Sequence, residues 1–186
     1  VDHTAFAASN SMTGGVSKTL DSGTTWTPVL SGYVRLYLSP HYGADQTIFA
    51  LNYIGAGPYG ANIMYRSTNG GATWITRTIG LSTTNVSGLF LSPTFNVDHL
   101  MYATGTDGLY RSTDGGLSWS TVPDFVHRSL STVVFSPGWL VQPYLLVGTS
   151  QSVYRSIDGG TTWARMQGVR QLNTSPLALS AADSQW

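Results

Sequence analysis

Apolar and polar residues alternate in short runs along this chain, a pattern that is typical of β-strands. The runs Leu36-Tyr37-Leu38, Leu89-Phe90-Leu91 and Val133-Val134-Phe135 are each followed by Ser-Pro. Because proline has no N–H to donate to a neighbouring strand, each run is predicted to be a strand that ends at the proline. Similar runs occupy residues 4–8, 47–52, 63–67, 100–104, 109–112, 144–148 and 153–156. The pattern therefore predicts an all-β fold.

One eight-residue segment recurs four times, with the pattern Ser/Thr-x-Asp/Asn-x-Gly-x-Thr/Ser-Trp. Its copies end at Trp26, Trp74, Trp119 and Trp163, which are 48, 45 and 44 residues apart. A fixed period of this length is the signature of a repeat architecture. We expect four repeats of about four strands each, over about 1–32, 33–80, 81–124 and 125–168.

Each copy of the segment is predicted to be a self-fastened turn between two strands. The side-chain oxygens of Asp21, Asn69, Asp114 and Asp158 are placed to accept from backbone N–H groups further along the turn, and the following glycine supplies a positive φ. The tryptophan then begins the outgoing strand and is expected to bury its ring between neighbouring sheets. These acidic residues are therefore assigned a structural role.

This segment resembles the Asp-box, or BNR, repeat of sialidases, sortilin-type receptors, xyloglucan-degrading glycoside hydrolases and a photosystem assembly factor. The resemblance implies a β-propeller of four Asp-box blades, each a four-stranded antiparallel sheet, with the box at the turn between the third and fourth strands. It implies a structural role for the box residues and says little about activity. Those residues are Asp21, Asn69, Asp114, Asp158, Trp26, Trp74, Trp119 and Trp163.

The two ends of the chain have the pattern of parts of one repeat. Asp2 and Ala7 are spaced like Asp45 and Ala50, so the first repeat begins after its first strand. The run Leu177-Ala178-Leu179-Ser180 resembles the missing strand. We expect residues 169–186 to supply that strand and to complete the first blade of a single domain over 1–186. Two alternatives remain: the strand completes a blade of another molecule, or the chain is part of a longer propeller.

Composition narrows the classes of partner. The chain has 186 residues, nine Lys+Arg against nine Asp+Glu, no cysteine and no glutamate. Charge neutrality disfavours nucleic acid, and no apolar run approaches the 18 residues of a membrane span, so neither nucleic-acid binding nor membrane insertion is expected. No cofactor and no metal site is predicted. The charge-poor composition, rich in Ser, Thr, Gly and aromatic residues, favours a secreted protein that is extracellular or at the cell surface.

Ligand binding in the family that the chain resembles lies on the face opposite the box turns, where the other loops meet. The candidate binding residues in those loops are Tyr53, Tyr59, Asp107, Asp124, His127, Arg128 and Arg170. Two other repeated positions are given structural roles. Asp45 and Asp98 are predicted to cap turns. The basic residues before each box are predicted to donate hydrogen bonds to neighbouring carbonyls or box carboxylates; they are Lys18, Arg66, Arg111 and Arg155.

No catalytic residue is assigned, and the favoured function is a non-enzymatic extracellular module that binds carbohydrate or protein or assembles at the cell surface. One alternative is a xyloglucanase- or sialidase-like glycoside hydrolase, or a fragment of one, with Asp107 and Asp124 as its carboxylates. The sialidase mechanism itself uses a glutamate, which this chain lacks. The other alternative is a structural subunit that polymerises by exchanging the strand from Leu177 to Ser180.

Overall fold

The structure of the chain is a computed structural model, which describes residues 3–9, 11, 14–54, 61–76, 80–81, 86–168 and 177, without the side chains of 53–54 and 61–62. The described residues form fifteen strands, two four-residue α-helices and one 3-10 helix. None of the helices in these residues has the length and apolar character needed to cross a bilayer. The predicted all-β class is confirmed.

Contacts divide the chain into two compact units, and the first comprises residues 1–79 and 83–85. It contains two antiparallel sheets, with strand orders β1-β2-β3 and β4-β5-β6-β7. Its elements are β1 (Ala5–Ala8), β2 (Gly15–Thr19), β3 (Thr27–Ser31), β4 (Tyr33–Leu38), α1 (Tyr42–Asp45), β5 (Ile48–Ile54), β6 (Ala61–Ser67) and β7 (Ile75–Thr76).

The second unit comprises residues 80–82 and 86–186. It contains two four-stranded antiparallel sheets, ordered β8-β9-β10-β11 and β12-β13-β14-β15. Its elements are β8 (Val86–Leu91), α2 (Phe95–Asp98), β9 (Met101–Gly105), β10 (Leu109–Ser112), β11 (Ser120–Thr121), the 3-10 helix (Pro123–Phe125), β12 (Leu130–Phe135), β13 (Leu145–Thr149), β14 (Val153–Ser156) and β15 (Ala164–Arg165).

Each sheet follows one predicted repeat, and its strands pair in chain order as the strands of a propeller blade do. The first sheet has three described strands. The segment predicted to complete it, residues 169–186, lies outside the described residues except for Leu177. The Leu177 side chain lies over Gly148 of β13 within the second unit. Completion of the first blade, strand exchange and a single domain over 1–186 remain predictions.

The loops that follow two of the Ser-Pro prolines contain the helices α1 and α2, which the alternation pattern did not predict. In the second of these loops the Asp98 carboxylate accepts hydrogen bonds from the Ser92 hydroxyl at 2.6 Å and the Leu100 N–H at 2.9 Å. Asp45 accepts equivalent bonds from Ser39 at 2.5 Å and Thr47 at 2.8 Å. Partial burial raises the pKa of Asp98, but these hydrogen bonds outweigh burial and lower it. The predicted capping role of both aspartates is confirmed.

The box turn has the predicted fastening, illustrated by the third copy. The Ser112 hydroxyl donates to Asp114 Oδ1 at 2.8 Å and accepts the Gly116 N–H at 2.8 Å. The Asp114 carboxylate also accepts the N–H and the hydroxyl of Ser118, at 3.0 and 2.5 Å. Gly115 and Gly116 have φ of 70° and 81°, so two consecutive residues adopt left-handed backbone. The box is therefore held by bonds within seven residues of chain.

The second box differs because Asn69 replaces the aspartate. Its Oδ1 accepts the Thr73 N–H at 2.9 Å, and its Nδ2 donates to the Thr73 hydroxyl at 2.8 Å. The uncharged amide of Asn69 thus makes the same contacts as the carboxylate of Asp114. The one difference in direction is that Asn69 donates to the Thr73 hydroxyl, whereas Asp114 accepts from the Ser118 hydroxyl. The geometry of the turn does not require a negative charge.

We expect the aspartate boxes to make folding stability sensitive to acid. Burial raises the pKa of Asp114, but hydrogen bonds from Ser118, Ser112 and Leu117 outweigh it and lower the pKa from 3.8 to about 2. A depressed carboxyl pKa stabilises the folded state above the unfolded pKa, and this contribution is lost as pH falls from about 4 towards 2. Thermal melting at pH 5 and pH 2.5 should show a smaller acid-induced fall in Tm for Asp114→Asn than for the unaltered chain.

The matched control for this acid sensitivity is Asn69→Asp, which adds a carboxylate to the box that lacks one. It should enlarge the fall in Tm between the two pH values. An equal fall in Tm in the unaltered chain, Asp114→Asn and Asn69→Asp would show that the box carboxylates do not determine the acid sensitivity.

Of the four box tryptophans, one is buried, two are partly buried and one is exposed. Trp119 is 7% exposed, Trp74 packs against the core of the first unit and Trp163 against that of the second. The expectation of a buried ring is wrong for Trp26, which is 44% exposed. Its indole N–H donates to the carbonyl of Gly23 at 3.0 Å, so the ring folds back on its own turn. Trp74 and Trp163 lie in the box turns of the second sheet of their units, and each packs on a cluster drawn from both sheets of its unit.

Each unit joins its two sheets through the same part of a box. In the first unit the Lys18 ammonium donates to the carbonyl of Gly70 at 2.9 Å, as predicted for the basic position. In the second unit the Tyr102 hydroxyl donates to the carbonyl of Gly159 at 3.1 Å. Burial raises the pKa of Tyr102 to about 12, so its phenol stays protonated as a donor. In the second and fourth boxes the carbonyl of the first glycine therefore receives a donor from the preceding sheet.

Candidate functional site

The loops of the second unit are divided between two ends by the antiparallel order of its strands. The β10–β11 and β14–β15 turns are Asp boxes and lie at one end. Because neighbouring strands run in opposite directions, the β9–β10 and β13–β14 loops and the β11–β12 connection lie at the opposite end. This loop end holds four of the predicted binding residues: Asp107, Asp124, His127 and Arg128.

Asp107 and His127 form a fixed pair at the loop end. His127 Nδ1 lies 3.0 Å from Asp107 Oδ1, and the His127 backbone N–H donates to the Asp107 carbonyl at 3.0 Å. The His127 ring is 83% exposed, and its φ is 57°, a conformation that costs a non-glycine residue about 1 kcal/mol. Two bonds from one aspartate thus hold a strained, exposed histidine in place.

Arg128 is fixed by a different neighbour. Its Nη1 donates to the Tyr154 hydroxyl at 2.5 Å, and its guanidinium carbon lies 5.5 Å from the centre of the Tyr154 ring. Tyr154 packs edge-on against the fully buried ring of Phe125, with 5.1 Å between ring centroids. Phe125 also accepts the Arg128 backbone N–H at its carbonyl, at 3.2 Å. Two packed aromatic rings, the buried Phe125 and the partly buried Tyr154, therefore position an exposed cation.

These residues border an open polar cleft of about 330 Å³. One wall is the end of the β11–β12 connection, and the other is the β13–β14 loop. Thr149 organises that loop, since its hydroxyl donates to the Ser152 carbonyl at 3.0 Å and accepts the N–H groups of Gln151 and Ser152. The residues that line the cleft are His127, Arg128, Ser129, Thr149, Ser150 and Gln151.

The cleft combines two of the seven predicted binding residues with four that were not predicted. Asp107 supports it through His127, and Asp124 lies exposed on the 3-10 helix. Tyr59 and Arg170 lie outside the described residues, as does the side chain of Tyr53. Ser150 and Gln151 were missed as individual residues, although the β13–β14 loop is one of those at the predicted face. Tyr154 was not among the predicted binding residues.

A second hollow of similar volume, about 320 Å³, lies on the last sheet and is less polar. Arg155 lies beside it, with its guanidinium carbon 5.1 Å from the centre of the Tyr144 ring. The prediction that basic residues before the boxes bond to carbonyls is thus met at Lys18, whereas Arg155 stacks on an aromatic ring. Within the described residues no group of three or more His, Asp or Glu side chains is arranged to hold a metal.

Comparison with known proteins supports the propeller fold. The family description "BNR/Asp-box repeat" matches residues 110–121, which span the third box. No curated protein matches the chain. Similar solved structures include the GH74 xyloglucanase from Xanthomonas campestris, at 22% identity and a TM-score of 0.66, over 92% of this chain and 29% of that one. An ancestral GH74 enzyme is similar at 18% identity and a TM-score of 0.63, over 91% of this chain and 26% of that one.

A third similar structure is that of a nidogen/laminin complex, at 12% identity and a TM-score of 0.60, over 92% of this chain and 63% of the matched chain. This chain spans less than a third of the length of either GH74 enzyme. At these identities the likeness establishes the fold, and the residues of the site have to be judged on their own chemistry.

Proposed function

Because this chain is an Asp-box (BNR) repeat protein built of β-propeller blades, we propose that it is a carbohydrate-binding module. Its ligand would occupy the polar cleft at the loop end of the second unit. The observation that carries the proposal is the cleft itself, which lies opposite the box turns and is bordered by a histidine and an arginine held in place by their neighbours. An extracellular location is part of the proposal and is supported by the charge-poor composition.

The chemistry of the cleft suits sugar hydroxyl groups, which donate and accept hydrogen bonds at the same time. Ser129, Ser150 and Gln151 are exposed and supply hydroxyl and amide groups of both kinds. The His127 ring and the Arg128 guanidinium supply flat surfaces and further N–H groups. Sites of this kind gain affinity when their polar groups are fixed before the ligand arrives, because less entropy is lost on binding. The Asp107 and Tyr154 hydrogen bonds provide that fixation.

We expect a bulky residue in the cleft to weaken polysaccharide binding without unfolding the chain. Ser150→Leu places a branched apolar side chain at an exposed position that lines the cleft. Crowding of this kind costs about 1 to 3 kcal/mol, so the affinity for any bound polysaccharide should fall by about 5- to 100-fold. Isothermal titration against a panel of neutral and acidic polysaccharides measures the change.

The matched control is Thr113→Leu, which makes a similar change at an exposed position of the third box, at the opposite end of the blade. It should leave affinity unaltered. If both variants bind like the unaltered chain, the ligand lies elsewhere. If no polysaccharide binds the unaltered chain, the carbohydrate-binding proposal is wrong.

Glycoside hydrolysis is the second candidate, and the observation that favours it is the fold shared with two GH74 enzymes. Asp107 and Asp124 would be its carboxylates. Asp107 already holds His127 through its carboxylate, which assigns it a positioning task. Release of reducing sugar from xyloglucan that disappears in Asp124→Asn would support hydrolysis, and the absence of any release would exclude it for this substrate.

A further inference from the structure

Two arginines of the second unit are held by neutral oxygen atoms. Arg128 Nη1 donates to the Tyr154 hydroxyl at 2.5 Å. Arg165 Nε donates to the Ser152 hydroxyl at 2.9 Å. A neutral acceptor orients a guanidinium without cancelling its charge, and most of the five N–H donors of each group are left over.

The two arginines border the same short loop. Tyr154 and Arg165 are directly opposite one another in the β14–β15 pairing, so their side chains extend from the same face of the sheet. Ser152, which accepts from Arg165, directly follows the cleft residue Gln151. Ser152 and Tyr154, which accept hydrogen bonds from the two guanidinium groups, therefore both lie within three residues after Gln151, the last lining residue of the cleft.

No carboxylate neutralises either arginine in the part of the chain that the structure describes. Neither Arg128 nor Arg165 has a carboxylate oxygen of the described residues within 4.0 Å, and the Asp107 carboxylate lies 3.0 Å from His127 Nδ1 instead. Asp124, on the preceding 3-10 helix, is among the carboxylates that lie beyond this distance. Two guanidinium groups that no described carboxylate contacts thus lie at or near a cleft lined largely by hydroxyl and amide groups.

We propose that the cleft binds an acidic polysaccharide, with a uronate carboxylate on the Arg128 guanidinium and Arg165 contributing a second positive charge. This inference rests on the proposed carbohydrate-binding function and names the class of its ligand. A planar carboxylate matches the forked N–H groups of arginine and forms paired charge-assisted hydrogen bonds. Fixation of Arg128 by Tyr154 lowers the entropy that such a bidentate contact costs.

The decisive comparison uses two polymers with the same sugar backbone. Polygalacturonate carries a carboxylate on every residue, whereas its fully methyl-esterified form carries none. Titration calorimetry at neutral pH and low salt should show binding of polygalacturonate at least about 10-fold tighter than binding of the ester, since hydrogen bonds to charged groups contribute more than neutral ones. In Arg128→Gln this preference should fall by about 10-fold, and in Arg165→Gln by a smaller factor.

Arg155→Gln is the matched control, because it removes an exposed arginine that lies beside a hollow of similar volume on the last sheet. It should keep the full preference for the acidic polymer. A loss equal to that of Arg128→Gln would reveal a general charge effect and overturn the proposal. Far-ultraviolet circular dichroism and the Tm of each variant establish that the blades remain folded.

The remaining outcomes separate this inference from the proposed function. Equal affinity for the acidic and esterified polymers overturns the acidic ligand and leaves carbohydrate binding intact. Failure to bind either of them or any neutral polysaccharide overturns both. Polyglutamate that binds as tightly as polygalacturonate, with the same loss in Arg128→Gln, would assign the cleft to an acidic peptide and would also overturn the inference.

Discussion

Gly160→Ala is expected to destabilise the chain by about 2 to 5 kcal/mol. Gly160 has a φ of 87°, and left-handed backbone costs a residue with a Cβ about 1 to 2 kcal/mol. A methyl group there would also overlap the Tyr102 hydroxyl, which is fully buried and donates to the carbonyl of Gly159. Crowding a packed interior costs about 1 to 3 kcal/mol more. Denaturant-induced unfolding, followed by tryptophan fluorescence, measures the loss.

The adjacent glycine provides the control for this prediction. Gly159 also has left-handed backbone, with a φ of 67°, but no atom lies within 4 Å of a Cβ placed there. Ser22 occupies the equivalent position of the first box at a φ of 59°, which shows that a side chain is tolerated. Gly159→Ala should therefore cost only about 1 kcal/mol. Equal losses in the two variants would contradict the close approach of Tyr102 to the box.

Phe125→Ala is expected to cost about 3 to 5 kcal/mol and to weaken binding in the cleft. The Phe125 ring is fully buried and meets the rings of Tyr154 and Trp163 edge-on, each with 5.1 Å between centroids. Its removal leaves a cavity in the core of the second unit, which is the usual origin of a loss of this size. Tyr154 would lose its support, and with it the position of Arg128. Unfolding and polysaccharide titration measure the two effects.

Val126→Ala serves as the control, because the neighbouring valine is 42% exposed. A substitution at such a surface position should change stability by no more than about 0.5 kcal/mol. If Phe125→Ala lowered stability but left polysaccharide affinity unaltered, Phe125 would be a core residue without a role in positioning Arg128.

The sequence predicted the blades well because their determinants are local. The box closes its hydrogen bonds between Ser112 and Ser118, so the pattern of residue types is enough to identify the turn. The alternation of apolar residues located most strands within two residues of their observed limits, as at β10 (Leu109–Ser112), but placed the starts of β4, β8 and β12 three residues too late. The short helices α1 and α2 escaped prediction because four residues are too few to show a helical period.

The candidate site was predicted in part. The position of Asp107, His127 and Arg128 in loops at one end followed from strand order, and the structure confirms that the three lie at the loop end. The predicted approach of Asp107 to Asp124 has no counterpart among the observed contacts of Asp107, whose carboxylate instead binds His127. The composition of a loop does not indicate which of two nearby polar residues a carboxylate will contact.

The amino-acid sequence by itself determined the repeat, the all-β class and the structural role of the box residues, because each depends on interactions between residues close together in the chain. Only the tertiary structure determined which polar side chains are held by hydrogen bonds to residues distant in the chain. The Arg128 guanidinium meets a hydroxyl 26 residues away, on another strand, and the Tyr102 hydroxyl meets a carbonyl 57 residues away. It also decided that Trp26 is exposed while Trp119 is buried, since identical box patterns differ only in what the fold packs against them.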